Sequence, residues 1–304
     1  MHPLAAGVSY LDLLFRGTPR VIATVVLHAA GGVALIDPGP TSTLPALRQA
    51  LGASGIAIGD VTTILLTHIH LDHAGSTGTL LRENRGLRVY VHERGAPHLI
   101  DPAKLLASAT RLYGDAMDTL WGAVLPVPSQ AVVTLKGGER LEGGGRALDV
   151  AYTPGHASHH VSFFSADTGI AFVGDTAGVK VASYVLPPTP PPDIDLEIWQ
   201  DSLAKIEAWR PETLFLTHFG PSAPCRPHLT ELRDHLELTS RLVKTSLERD
   251  ESGDDAREAW FAEEIRRELR RRLADDEARA YETAAPFDLN WRGLARYVRK
   301  RESR

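Results

Sequence analysis

Short apolar segments alternate with helical segments over the first 230 residues of this chain, and this alternation limits the folds it can adopt. Eight segments rich in β-branched residues are bounded by Gly, Pro or Asp, which predicts strands at 21–27, 33–36, 62–66, 88–91, 148–152, 161–164, 170–173 and 213–216. Helices are predicted at 44–51, 103–121 and 196–209. Strands interleaved with helices favour a layered α/β fold over an all-β sandwich or a helical bundle.

The composition is typical of a globular enzyme or binding protein. Hydrophobic residues make up 43% of the chain and charged residues 23%, which excludes a disordered or collagen-like protein. A net charge of −5 provides no long-range attraction for nucleic acid or anionic membranes. The single cysteine, Cys225, suits a reducing compartment, and the N-terminal segment lacks the features of a signal peptide. We therefore expect a cytoplasmic protein with a small-molecule ligand and with neither nucleic acid nor a membrane as partner.

The C-terminal part is much more charged, with 17 Lys and Arg and 18 Asp and Glu among the 74 residues from Glu231 to Arg304. Apolar residues recur at spacings of four or five over 254–280, which predicts one amphipathic helix. Its apolar face would consist of Ala256, Trp260, Ile265, Leu269 and Leu273. A second apolar face is predicted within 286–300, with Phe287, Trp291, Leu294 and Tyr297. We expect the helices to dock on the chain's own core, and a homodimer through them is the alternative.

A proline-rich segment separates two predicted elements of the first part. Five prolines between Leu186 and Asp195 exclude a helix or a central strand there. The segment is therefore predicted to be an extended loop that leads into a helix capped by Asp195 or a neighbour.

Five segments place a histidine or an aspartate directly after a predicted strand. They contain Asp37, the cluster His68, His70, Asp72 and His73, and then His156, Asp175 and His218. Layered α/β folds bring the carboxyl ends of several strands to one edge. We expect these side chains to meet there.

The cluster from His68 to His73 is the most informative of these segments. His68 and His70 lie two residues apart, so both imidazoles point to one side of an extended backbone. A single histidine on an apolar strand is commonly a hydrogen-bonded core residue. Four such groups packed without a ligand, however, would cost ~1–3 kcal/mol each. The cluster therefore predicts a transition-metal site with nitrogen and oxygen ligands.

The run His-x-His-x-Asp-His, followed by separate His, Asp and His residues, resembles the metallo-β-lactamase superfamily and its glyoxalase II-like ligand pattern over about residues 5–220. The resemblance implies an α/β fold, the four-layer αββα sandwich, with a two-metal site at one edge. The charged C-terminal part lies outside this resemblance, and its charge and apolar faces predict a charged C-terminal helical extension, docked on the core, at 225–304, beside a catalytic domain at 1–224.

The resemblance further implies which residues bind each metal ion. One ion would be held by His68, His70 and His156, and the other by Asp72, His73 and His218. Asp175 would bridge the two ions, and Asp37 would orient ligands without contacting metal. The expected cofactor is two divalent ions, with zinc favoured, although these ligands also accept manganese and iron.

Such a site predicts hydrolytic chemistry. Two ions ~3.5–4 Å apart would share a water, lower its pKa and provide a hydroxide nucleophile. Asp72 would accept a hydrogen bond from that nucleophile, and Asp175 would bridge the two ions that generate it. Asp72 and Asp175 are therefore the candidate catalytic residues. We predict a dinuclear hydrolase that cleaves a small ester, thioester, lactone or phosphodiester. The alternative is a mononuclear iron oxidoreductase similar to persulfide dioxygenases. A serine nucleophile is disfavoured because the chain has no Gly-x-Ser-x-Gly elbow.

The residues at and after Asp175 indicate which enzymes of the superfamily this chain resembles less. Asp175 argues against a true β-lactamase, since those enzymes typically lack an aspartate at this position. Glyoxalase II proper has Gly-Cys-Gly-Arg after its bridging aspartate, whereas this chain has residues 176–179 as Thr-Ala-Gly-Val. Glutathione thioesters are therefore disfavoured as the native substrate.

The remaining histidines and one long connection receive weaker predictions. His160 follows His156 by four residues, as the second histidine does in glyoxalase II-like members, and is the candidate supporting group, although ordinary packing is favoured. His159 has a weaker case for such a role. Ordinary packing is expected for His2, His28, His92, His98, His228 and His235. Segment 93–130 carries Tyr113, Met117 and Trp121 on one helical face, for which packing on the sandwich is favoured over a lid.

Overall fold

The computed structural model describes residues 1–29, 31–143, 145–250 and 253–303. The strands in these ranges are β1 (His2–Ala5), β2 (Val8–Asp12), β3 (Ala23–Ala29), β4 (Gly32–Ile36), β5 (Val61–Leu65), β6 (Arg88–His92), β7 (Val132–Leu135), β8 (Arg140–Gly143), β9 (Arg146–Tyr152), β10 (Val161–Ser165), β11 (Ile170–Gly174), β12 (Thr213–Leu216) and β13 (Gly220–Ser222). The helices are α1 (Leu44–Gly52), α2 (Leu71–Ala74), α3 (Thr77–Glu83), α4 (Ala96–Ile100), α5 (Ala103–Tyr113), α6 (Met117–Leu120), α7 (Leu196–Ala208), α8 (Cys225–Glu248), α9 (Asp254–Arg270), α10 (Asp275–Ala284) and α11 (Phe287–Glu302).

The strands form two mixed sheets. The first contains β1 to β7 in sequence order, antiparallel from β1 to β4 and parallel from β4 to β7. The second has the order β13-β12-β11-β10-β9-β8, in which only β11 and β12 are parallel neighbours among the described strands. The strands β4 and β5 are parallel to each other, and so are β11 and β12. In each pair, the residues that follow the two strands therefore lie at the same edge of the sheet.

Alternate residues of each strand face different cores, as the two-residue period of a strand requires. In β10, Phe163 lies in the core between the sheets and Phe164 faces the helices outside the second sheet. In β4, Ala34 lies between the sheets and Leu35 faces helices outside the first sheet. Helices α1, α3, α4 and α5 cover the first sheet, and α7 to α11 cover the second. The predicted four-layer αββα sandwich with C-terminal helices is confirmed.

Several predicted elements differ from the structure. Strand β12 has the predicted bounds, but β1, β2, β7, β8 and β13 were not predicted. The single helix predicted over 103–121 is wrong, because Gly114 has a φ of 51° that ends α5 at Tyr113. The proline-rich segment is a loop, and the Asp195 side chain caps α7 by accepting a hydrogen bond from Ile198 N at 3.1 Å.

The C-terminal helices also differ from the prediction. The helix expected over 254–280 is divided into α9 and α10, since Ala274 is extended and its N–H donates to Glu277 Oε2 at 3.2 Å, which starts a new helix. Of the predicted face, Ile265 and Leu269 are buried, whereas Ala256 is exposed. The core on this side also buries Phe261, Tyr281, Phe287, Trp291 and Leu294. Association of two chains through these helices stays a prediction.

No helix in the described ranges combines the length and apolar character that crossing a bilayer requires.

Candidate metal centre

All the predicted ligand residues lie at one edge of the sandwich. Asp37 follows β4, the run from His68 to His73 follows β5, and His156 lies in the connection from β9 to β10. Asp175 follows β11 directly, and His218 follows β12 after one residue. The two parallel strand pairs thus bring residues from distant parts of the sequence together, as the sequence predicted.

Three imidazoles, those of His68, His70 and His156, form the first candidate ligand group. The Nδ1 atom of His70 lies 3.0 Å from Nε2 of His68 and 3.0 Å from Nε2 of His156. The ligand atoms of this set lie within 4.8 Å of one another. A neutral imidazole has one donor and one acceptor nitrogen, so one Nδ1 atom cannot serve both neighbours well by hydrogen bonding alone. Three nitrogens that converge in this way fit a divalent ion with imidazole ligands.

Asp72, His73 and His218 form the second ligand group, again with ligand atoms within 4.8 Å. Oδ2 of Asp72 lies 3.2 Å from Nε2 of His218 and 3.7 Å from Nε2 of His73. This group therefore offers two nitrogens and a carboxylate oxygen. The two groups contain the two ligand sets that the superfamily resemblance implied.

Asp175 lies between the two groups. Its Oδ2 atom is 3.4 Å from Nε2 of His156 in the first group. Its Oδ1 atom is 3.3 Å from Nε2 of His73 and 3.6 Å from Nε2 of His218 in the second. One carboxylate faces both groups, which is the arrangement that a bridging ligand requires.

Three buried polar atoms at this centre lack a hydrogen-bond partner among the described residues. They are Nε2 of His73, Nε2 of His218 and Oδ1 of Asp175. Leaving buried polar groups unpaired costs about 1–3 kcal/mol each. Since all three atoms point into the second group, the residues fit a divalent ion that would satisfy them together.

The opposite ring nitrogens of the ligand histidines are held by acceptors. Nδ1 of His156 donates to the carbonyl of Pro188 at 2.9 Å, and Nδ1 of His218 donates to the carbonyl of Val21 at 2.6 Å. Each bond fixes the tautomer and leaves the Nε2 lone pair directed at the centre.

Asp37 holds His73 in the same way and ties together the ends of three strands. Its Oδ2 atom accepts hydrogen bonds from His73 Nδ1 at 2.9 Å, from Thr67 Oγ1 at 2.7 Å and from Thr217 Oγ1 at 2.9 Å. Its Oδ1 atom accepts from Thr67 N at 2.8 Å. Asp37 adopts a left-handed φ of 51° in order to reach this position. Its contacts fit the orienting role predicted for it.

His160 is buried and contacts the backbone N–H of Asp175. Its Nε2 atom accepts a hydrogen bond from Asp175 N at 3.3 Å, and its Nδ1 atom lies 3.0 Å from the hydroxyls of Thr153 and Thr176. It also stacks on His68 with ring centroids 4.9 Å apart. The favoured expectation of ordinary packing for His160 understated these contacts, because they reach both a predicted ligand, His68, and Asp175.

The pKa values of the first group and of Asp72 suit metal binding. Burial, together with the His156 imidazole, lowers the pKa of His70 to about 4, and burial lowers that of His68 well below its usual value. Although burial by itself raises the pKa of Asp72, the imidazoles of His73 and His218 lower it to about 2. At neutral pH the site therefore presents neutral imidazoles in its first group and an ionised carboxylate in its second.

A sequence profile of the metallo-β-lactamase superfamily matches residues 17–218. The chain belongs to the metallo-β-lactamase superfamily. A metallo-β-lactamase fold-containing protein from Sulfurisphaera tokodaii is 31% identical over 225 residues, which cover 72% of this chain and 82% of that relative. The crystal structure of a metallo-β-lactamase family protein from Thermus thermophilus superposes with a TM-score of 0.72 at 24% identity, covering 99% of this chain and 95% of that one. This structural similarity shows the shared fold.

A hydroxyacylglutathione hydrolase from a Synechococcus species is 28% identical over 143 residues. The match covers 47% of this chain and 43% of that enzyme. This superfamily member therefore spans less than half of the named hydrolase.

The metal centre of this superfamily member opens into a cavity of about 560 Å³. From the centre, the side chains of His70, Asp72, Asp175 and His218 line it. Segment 93–130 contributes Leu105, Leu112, Tyr113 and Trp121 to its wall. The favoured expectation that this segment only packs on the sandwich was incomplete, because α5 and α6 both pack there and line the cavity.

The C-terminal extension lines the same cavity with residues 282–286 and 288–290. Sequence reasoning did not identify these residues, or Thr67, Thr217 and the carbonyls of Val21 and Pro188. Thr67 and Thr217 directly precede ligand histidines, and that adjacency was the one signal available. A backbone carbonyl carries no sequence signal at all.

Proposed function

We propose that this superfamily member is a dinuclear metal-dependent hydrolase whose two divalent ions are zinc and whose substrate is a small ester, thioester, lactone or phosphodiester. The observation that carries the proposal is the position of Asp175, whose two oxygens face His156 on one side and His73 and His218 on the other. Two divalent ions held at such a site would supply Lewis acidity and a water of lowered pKa.

Asp72 is placed to act on the attacking water. Its side chain is 22% exposed, whereas Asp175 is 5% exposed, so Asp72 is the carboxylate more open to the cavity. Because the imidazoles of His73 and His218 lower its pKa to about 2 against the effect of burial, Asp72 stays ionised at neutral pH. It can therefore accept a hydrogen bond from the water and orient it towards the substrate.

The cavity suits a small substrate with apolar parts. Its volume lies within the range of small-molecule sites. Apolar side chains from three separate regions line it, among them Ile22, Leu105 and Leu289. Tyr113 adds a hydroxyl whose pKa is raised by burial and by the nearby Asp72 carboxylate, so it keeps its proton and can donate a hydrogen bond to a bound substrate.

The relatives support a metal-dependent hydrolase but do not identify its substrate. The hydroxyacylglutathione hydrolases match about half of this chain, and the matches cover less than half of each hydrolase. The net charge of −5 supports a small-molecule substrate over nucleic acid or an anionic membrane, and the single cysteine supports a cytoplasmic location.

A substrate panel tests the proposal. Zinc-loaded protein would be assayed on a chromogenic ester, a thioester, a lactone and a phosphodiester, before and after chelation. We expect turnover of at least one substrate, its loss on chelation and its recovery when zinc is restored. Asp175→Ala should lower that turnover by orders of magnitude, while Asp118→Ala, at an exposed aspartate, should not. Hydrolysis that survives both chelation and Asp175→Ala would contradict the proposal.

A further inference from the structure

The C-terminal helix α11 holds the loop that orients one predicted metal ligand. The carbonyl of Pro188 in that loop accepts the hydrogen bond from His156 Nδ1 at 2.9 Å. The next residue, Thr189, is bonded to Asn290 of α11 in two ways. Thr189 N donates to Asn290 Oδ1 at 2.8 Å, and Thr189 Oγ1 donates to the Asn290 carbonyl at 3.0 Å. A short path of buried contacts therefore links α11 to His156.

Gly293, one turn further along α11, permits this close approach. A Cβ atom at Gly293 would lie 1.9 Å from the Thr189 carbonyl oxygen and 2.7 Å from the Pro190 carbonyl carbon. Both neighbours are backbone atoms, so no side-chain rotation could relieve the overlap. Glycine makes a helix interior less stable than alanine does. The contact with the loop, and not helix formation, explains a glycine at this position.

The rest of the loop is held from the side of the metal centre. Asp193 accepts a hydrogen bond from the Ser158 hydroxyl at 2.5 Å, and Asp195 N donates to the Gly155 carbonyl at 2.9 Å. On the other side, Arg296 Nε of α11 donates to the Pro192 carbonyl at 3.3 Å. The loop thus lies between the centre and α11, and the position of α11 limits where the Pro188 carbonyl can lie.

We propose that Asn290 and Gly293 are positioning residues for the first metal group, acting through Thr189, Pro188 and His156. This inference rests on the metal site of the proposed function. The outer hydrogen-bond partners of the second group are Asp37 for His73 and the Val21 carbonyl for His218, and neither belongs to the loop. A displacement of α11 therefore acts selectively on the first group.

Cobalt binding to the metal-free protein of 304 residues tests the inference. Co²⁺ would be titrated into wild type and Gly293→Ala, with visible absorption reporting the coordination of each bound ion. Partners of ligand histidines typically affect metal affinity 10–100-fold. We expect one binding step of Gly293→Ala to weaken about 10–100-fold with a changed absorption band, and the other step to stay within about twofold.

Val298→Ala is the matched control. Val298 is a buried residue of the same helix that belongs to the core outside the second sheet, so its truncation weakens helix packing without adding an atom against the loop. It should lower the melting temperature and leave both cobalt steps unchanged. Equal changes in cobalt affinity for the two variants, or none for a folded Gly293→Ala, would overturn the inference while wild type still binds two ions. Wild type that binds no cobalt would contradict the metal site itself and, with it, this inference.

Thr189 supplies a milder pair if Gly293→Ala does not fold. Thr189→Val removes the hydroxyl that donates to Asn290, and Thr189→Ser restores a hydroxyl at the same place. We expect one cobalt step to weaken severalfold in Thr189→Val while the other stays unchanged, and we expect the weakened step to recover in Thr189→Ser. Equal affinity in the two variants would contradict the path from α11 to His156.

Discussion

Nδ1 of His73 donates a hydrogen bond to Oδ2 of Asp37 across 2.9 Å, and the two side chains are 0% and 1% exposed. The bond leaves Nε2 of His73 facing Asp175 at 3.3 Å, without a hydrogen-bond partner among the described residues. Thr67 and Thr217 donate to the same Asp37 oxygen. One buried carboxylate thus fixes a ligand of the second metal group and the ends of the strands that carry it.

Asp37→Asn should weaken binding at the second metal site. An asparagine cannot present two carboxylate oxygens to these donors, so its amide nitrogen would face at least one of them. We expect about 10–100-fold weaker binding of one zinc ion, measured by competition with a chromophoric chelator. Asp201→Asn, at an exposed aspartate of α7, is the control and should bind zinc as wild type does. Unchanged affinity for both ions in Asp37→Asn would show that Asp37 does not orient a ligand.

Histidine substitutions should separate ligands from structural residues. His68→Ala and His218→Ala should each lower the metal content measured by mass spectrometry. His228→Ala and His235→Ala should keep full metal content, because these side chains bond to the carbonyls of Ala177 and Val185 at 2.7 Å. The latter pair should still lower the melting temperature, since both side chains are buried. Equal metal loss in all four variants would mean that instability, and not ligation, causes it.

The metal-free protein should lose stability in mild acid. Burial, with the His156 imidazole, lowers the pKa of His70 to about 4, and burial lowers the pKa of His228 to about 4. An unfolded histidine titrates near pH 6.5. As the pH falls from 6.5 to 4, the unfolded chain takes up protons that the folded chain does not, and each group lowers the free energy of unfolding by about 1.4 kcal/mol per pH unit.

His73 and His218 act in a different pH range. Although burial opposes it, the Asp175 carboxylate raises the pKa of both side chains. Their stabilising contribution is complete below pH 6.5 and is lost as the pH rises through the folded pKa. Urea unfolding of the metal-free protein should therefore show lower stability at pH 5 than at pH 6.5, and a smaller difference for His228→Gln. Stability that rises between pH 6.5 and pH 5 would contradict these pKa directions.

Truncation after Pro224 should damage the protein. It removes helices that bury Phe261, Tyr281 and Trp291 in the core outside the second sheet. It also removes Leu289 from the cavity wall. We expect aggregation by light scattering or, in a soluble product, an altered order of preference among substrates. A soluble, monomeric truncation with unchanged kinetics on every substrate would show that the extension is only an appendage.

The sequence predicted the ligand groups because their positions follow from local rules. His68 and His70 are two residues apart after an apolar strand, and Asp175 and His218 each follow another such strand. Strand ends in a layered α/β fold meet at one edge of the sheet. These positions therefore predict that the side chains lie close together, even when it is not known which strands pair.

The partners of those ligands could not be predicted in the same way. His156 bonds to the carbonyl of Pro188, and a carbonyl is present at every residue. In the sequence, Gly293 is only an unfavourable residue for a helix, and its role is evident only from the Thr189 backbone that packs against it in the structure. The end of α5 before Gly114 could not be predicted either. The apolar residues on both sides of Gly114 follow one helical spacing, and only the positive φ of Gly114 interrupts the helix. Tertiary contacts decided the first two features, and the local backbone conformation of Gly114 decided the third.

The metal content of the purified 304-residue protein, measured together with its activity, tests whether the protein is a dinuclear hydrolase. We predict two divalent ions per chain after zinc loading, with hydrolytic turnover that rises with occupancy of both sites. A protein that retains a single iron per chain, consumes oxygen and hydrolyses none of the panel substrates would contradict the dinuclear hydrolase.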